Sequence, residues 1–141
     1  MGAWGMQPFE NDMALDFTAY LFHESVAGDL SLLSEAFQDV FRSQQEGYMD
    51  SDVGSPAIAA AAILVYLQQD NAEYLLKIQP NGQAWFDAAR QANYQALIPD
   101  ALKALELVTA ENSEVYDLWA ETDYFEEWLD SVNKIRDLLT K

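Results

Sequence analysis

Apolar residues recur every three or four positions along most of this chain, and no stretch alternates apolar and polar residues long enough to suggest a strand. The first stripe is Met13, Phe17, Tyr20 and Leu21. Asn11 is its expected helix cap, and Asp12 falls in the first turn, where the helix dipole favours negative charge. After Gly28-Asp29, the residues Leu30, Leu33, Phe37, Val40 and Phe41 predict a second amphipathic helix. Ser43–Gly54 reads as the principal loop, with turn chemistry at both ends and Tyr48-Met49 expected to pack inward. Ser55-Pro56 is a cap followed by a first-turn proline. The helix it opens, Ala57–Leu67, is apolar nearly all round and is therefore the expected buried centre.

The second half continues in the same period. Ala72–Ile78 predicts a short helix with Tyr74, Leu75 and Ile78 inward, ended by Pro80-Asn81-Gly82, and Gln83–Asn93 predicts another that buries Trp85, Phe86 and Ala89. Pro99-Asp100 restarts the chain for a stripe of Ala101, Leu102, Leu105 and Val108. Asn112-Ser113 caps a helix carrying Val115, Leu118 and Trp119. Asp123 opens the last helix, with Phe125, Trp128, Leu129, Val132, Ile135 and Leu139 toward the core. The expectation is one compact all-α domain over residues 1–141, of about six to seven helices.

Charge changes the picture more than any other compositional feature. Acidic residues number 24 against 7 lysines and arginines, a formal net charge of −17. Such a surface repels nucleic-acid phosphates and anionic membranes and attracts basic proteins. The acids are unevenly spread: no Lys or Arg precedes Arg42, and a second base-free stretch runs from Ala104 to Asn133. There is no cysteine, which removes disulfides, thiolate catalysis and thiolate metal sites. No apolar run reaches the ~18 residues of a membrane span, and the first basic residue is Arg42, so a secretory signal, which wants positive charge ahead of its apolar core, is not expected. A cytoplasmic location is the expectation.

The first seventeen residues differ from the rest. Gly2 and Gly5 bracket Trp4, Pro8 fixes one backbone angle, and Phe9 stands ahead of the polar Glu10-Asn11-Asp12. This predicts an irregular N-terminal clasp of glycine and aromatic residues feeding the first helix. The pattern Gly2-Ala3-Trp4-Gly5, Phe9-Glu10-Asn11-Asp12, Ala14-Leu15-Asp16 resembles the opening of the bacterial Domain of Unknown Function 4259 family. Tyr48-Met49-Asp50 through Ala57-Ile58-Ala59-Ala60-Ala61 looks like that family's middle block. Asn112-Ser113-Glu114 with Leu118-Trp119 and Trp128 looks like its C-terminal block. The resemblance implies a fold and no settled activity. The family often carries a glutamate near the position of Ala62, where this chain has alanine, so any chemistry resting on that glutamate is lacking here.

Candidate sites are few. His23, the single histidine, is placed to interact with the C-terminal dipole of the first helix, with a catalytic base as the alternative. Asp50-Ser51-Asp52-Val53-Gly54 fails as a calcium loop: its glycine comes one place early, Pro56 interrupts, and Ala61 stands where the bidentate glutamate belongs. Glu10, Asn11, Asp12 and Asp16 form an acidic group beside Trp4, Gly5 and Phe9 of the clasp, read as capping plus solvated charge or as a binding site. Trp4, Trp85, Trp119 and Trp128 are expected as packing anchors. Glu114, Asp117, Glu121, Glu126 and Asp130 form a continuous acidic ridge if the last two helices pack as a hairpin, either a solvated face or a docking surface. No metal ligand set and no cofactor motif is assigned. The expected function is a non-enzymatic, immunity-type interaction protein that binds a basic protein and neither nucleic acid nor membrane. The alternatives are a small metal-assisted hydrolase using carboxylates near the clasp, and a self-associating regulatory subunit.

Overall fold

A computed structural model describes residues 7–24, 26 and 28–140 of the chain. Trp4 and Gly5, the centre of the expected clasp, lie outside the described residues. Among those residues there are eight α-helices, not six to seven, and no strand: α1 (Asp12–Glu24), α2 (Ser31–Glu46), α3 (Ser51–Gln69), α4 (Glu73–Ile78), α5 (Gln83–Gln91), α6 (Ile98–Val108), α7 (Glu114–Ala120) and α8 (Phe125–Leu139). A 3-10 turn, Tyr94–Leu97, runs directly into α6.

The organising element is α3. It packs against α1, α2, α5, α6, α7 and α8, and every residue from Ala57 to Val65 is buried. Four successive alanines, Ala59 to Ala62, let neighbouring helices approach it from several sides. By length and composition this helix could cross a membrane, but 67% of the qualifying stretch is buried inside the fold, as a core helix requires. It begins earlier than its Ser55-Pro56 signal, at Ser51, so Pro56 lies inside the helix. The predicted twelve-residue loop therefore shrinks to Gly47–Asp50, because α2 also runs on to Glu46. Gly47 closes α2 in the left-handed conformation at φ 101° and donates its N–H to the Gln44 carbonyl. Nothing lies within 4 Å of where its Cβ would be, so glycine is required there by the backbone angle and not by packing.

The C-terminus of α3 is finished from outside. Asp70 takes the left-handed conformation there, and Arg90 of α5 donates Nε to the Leu67 carbonyl at 3.0 Å while Nη1 meets the Asp70 carboxylate at 3.1 Å. A cation thus sits where the last carbonyls lack helical donors.

Asn11 caps α1 as expected: its Oδ1 accepts from the Ala14 N–H at 2.8 Å. The core face of α1 is rotated from the predicted stripe. Ala14, Thr18 and Leu21 are fully buried, Met13 and Phe17 are half-buried, and Tyr20 is 56% exposed. Burying Thr18 costs little because its hydroxyl donates to the Ala14 carbonyl one turn back, at 2.7 Å. Tyr48 and Tyr74 are also more exposed than predicted, while their neighbours Met49 and Leu75 are buried. A phenol packs part of its ring and keeps its hydroxyl at the surface, where that of Tyr48 meets the Asp117 carboxylate.

Candidate functional site

Phe9 is the described part of the clasp that enters the core. It is buried and packs against Tyr66 of α3 and Tyr74 of α4, with ring centroids 6.2 and 5.8 Å away. Burial pushes the Tyr66 phenol up to about 12, so it stays neutral. Tyr74 is raised chiefly by burial and then by the Glu10 charge. Glu10 itself accepts from the Gln7 N–H at 3.1 Å and closes the turn before α1. Glu10 and Asn11 are thus occupied with local backbone, whereas Asp12 and Asp16 are exposed on α1.

The predicted acidic ridge divides into two parts. Met49 and Ser113 form an isolated parallel bridge: the Met49 N–H donates to the Asn112 carbonyl at 2.9 Å, and the Glu114 N–H to the Met49 carbonyl at 2.8 Å. This brings the start of α7 against the start of α3. Glu114 Oε1 accepts from the Ser51 N–H at 2.7 Å and so caps a helix 63 residues earlier in the chain. The hydrogen bonds from Ser51 hold its carboxyl below the usual range. Asp50, at the N-cap position itself, makes no side-chain cap. Asp117 Oδ2 accepts from the Tyr48 hydroxyl at 2.9 Å. Burial first, and then that bond, raise the Tyr48 phenol. Glu121, Glu126 and Asp130 are exposed. Stacked Trp119 and Trp128, 6.3 Å apart, join α7 to α8 beneath them. Two of the five ridge carboxylates are therefore fasteners and three are solvated.

A different constellation forms a concave site. Between α1, α2 and α3 lies an open groove of about 410 Å³. Met13 and Phe17 of α1, Leu32 and Ala36 of α2, and Val53 and Pro56 of α3 make its apolar surface. Asp16, Glu35, Asp39 and Asp52 supply its carboxylates, and Tyr20 adds an exposed phenol ring. Arg42 pairs with Asp39 along α2. Among the described residues the carboxylates of Asp16, Glu35 and Asp52 accept no hydrogen bond and make no ion pair. Asp52 stands in the first turn of α3, where the helix dipole favours its charge.

Sequence reasoning singled out only Asp16 of these four acids as a site residue. Glu35 and Asp39 were legible as part of a base-free stretch, and their spacing of four places them on one helical face. Asp52 was hidden by the misplaced loop. A smaller groove of about 310 Å³, between α3 and α8, is lined by Gln7, Pro8 and Tyr66 among others and has one charged residue, Lys134. Among the described residues no three of His, Cys, Asp and Glu come together in a way that could hold a metal ion. His23 is exposed in the last turn of α1 and is not among the groove's lining residues.

The family model described as Domain of unknown function (DUF4259) matches residues 2–131, nearly the whole chain. No curated protein and no solved structure matches it.

Proposed function

This chain belongs to the DUF4259 family of domains of unknown function, and we propose that it works by binding a basic protein rather than by catalysing a reaction. The observation that carries this reading is the groove of α1, α2 and α3, an apolar surface edged with carboxylates on a chain of net charge −17. An apolar patch supplies the area that holds a partner, and surrounding charge raises the rate at which an oppositely charged partner finds it. The role that suits this combination is of the immunity type, in which the acidic domain covers a basic cleft on the protein it neutralises. The ridge is the weaker docking surface, since Glu114 and Asp117 already bond within the fold.

The test is a pull-down from the native host at low and high salt, followed by association rates for the partner identified. Asp16→Asn, Glu35→Gln and Asp52→Asn together are expected to slow association and flatten its salt dependence while the fold is retained. Equal rates and slopes for parent and variant would end this reading.

A further inference from the structure

We infer that the groove recognises a short segment in which an arginine flanks a single apolar side chain, the arginine lying on Tyr20 and Asp16 and the apolar group entering between Met13, Leu32 and Val53. This rests on the binding function proposed above and names the chemistry of its occupant. The volume, about 410 Å³, is that of a pocket for a drug-sized ligand, enough to take one or two side chains of a partner. Its lining separates into apolar residues and carboxylates, with no lysine or histidine and no neutral amide. An occupant that is wholly cationic would leave the apolar surface wet, and one that is wholly apolar would strip water from carboxylates without replacing it.

Tyr20 singles out arginine. An aromatic ring 56% exposed among the lining residues of the groove is an unused flat surface. Asp16 stands one turn before it on the same face of α1. A guanidinium can lie on a phenol ring and at the same time give two parallel hydrogen bonds to a carboxylate, whereas an ammonium offers only a point charge. Glu35 and Asp52, which have no partner among the described residues, add charge complementarity from α2 and α3. Asp39 contributes less, because Arg42 already neutralises it.

The experiment uses the full chain with methyl-labelled methionine and a blocked synthetic peptide, Gly-Arg-Leu-Arg-Gly, with three relatives in which leucine becomes serine, both arginines become lysine, or both become glutamate. Met13 lines the groove, whereas Met49 is buried at the α3–α7 junction, so the Met13 methyl signal should move on titration while that of Met49 stays. The serine peptide should bind about tenfold to a hundredfold more weakly, the range for losing one buried leucine side chain. The lysine peptide should bind several-fold more weakly and the glutamate peptide not at all. Tyr20→Ala and Asp16→Asn, both at exposed positions, should each weaken the arginine peptide and narrow its advantage over the lysine peptide. Equal binding of the leucine and serine peptides, a still Met13 signal, or no binding would each overturn the inference. If a basic partner nevertheless associates with a salt dependence that the groove carboxylates control, the binding function stands and only the arginine-plus-apolar chemistry falls.

Discussion

The start of α7 and the groove of α1, α2 and α3 both present carboxylates, and they use them in opposite ways. At the first, Glu114 accepts a backbone N–H from Ser51 and Asp117 a phenol from Tyr48, so charge is consumed in joining distant parts of the chain. At the second, Asp16, Glu35 and Asp52 touch no donor among the described residues, and their charge remains available. The difference lies in what faces each acid. An N–H at the end of a helix has no helical acceptor and draws in a carboxylate, whereas the surface beside Asp16 and Glu35 in the groove is mostly methyl, methylene and ring carbon. Stability should therefore depend on the junction and association on the groove.

The strongest way to break that division is at Met49, buried between the starts of α3 and α7. Met49→Ala should cost about 2–5 kcal/mol, read by denaturant unfolding, and a loss under about 1 kcal/mol would show that the junction is not where stability resides. Gly54 gives the next effect. A Cβ there would come to 3.0 Å from a Val115 methyl, so the overpacking of Gly54→Ala, about 1–3 kcal/mol, set against the ~1 kcal/mol that alanine gains over glycine inside a helix, should leave a net loss of up to about 2 kcal/mol. A variant more stable than the parent would mean that α7 can shift outward.

Glu114→Gln keeps an oxygen that accepts the Ser51 N–H but loses the charge at the helix N-terminus, and should cost about 0.3–1 kcal/mol near neutral pH. Its effect should depend on pH in a set direction. The Glu114 carboxyl is held below its ordinary value of 4.5, so its contribution is complete above that value and is lost as pH falls through the lowered folded value. Parent and variant should converge in acid, and a gap that persists at the lowest pH would place the effect elsewhere. The smallest change belongs to the groove: Asp16→Asn, Glu35→Gln and Asp52→Asn together should leave stability within about 0.5 kcal/mol or raise it slightly by relieving repulsion. A larger loss in that triple variant would make these acids structural and erase the contrast with the junction.

Much of the fold was legible because its signals are local. The cap at Asn11, the cap at Ser113 and the stripe on α8 each depend on residues within a turn or two of one another, and each stands in the structure. The all-round apolarity of Ala57–Leu67 likewise marked the central helix before any neighbour was known. The start of α3 was misread because Ser55-Pro56 is a good local signal overruled by a distant one. Glu114 accepts the Ser51 N–H, and the Met49–Ser113 bridge holds the chain in position for it.

Sequence alone determined that the protein is helical, acidic and built on one apolar helix, since helix period, net charge and all-round hydrophobicity are properties of neighbouring residues or of the whole composition. Only the tertiary structure decided which acids are fasteners and which line a groove. A carboxylate carries the same charge in either setting, and its role depends on whether packing sets an orphan N–H or an apolar surface against it.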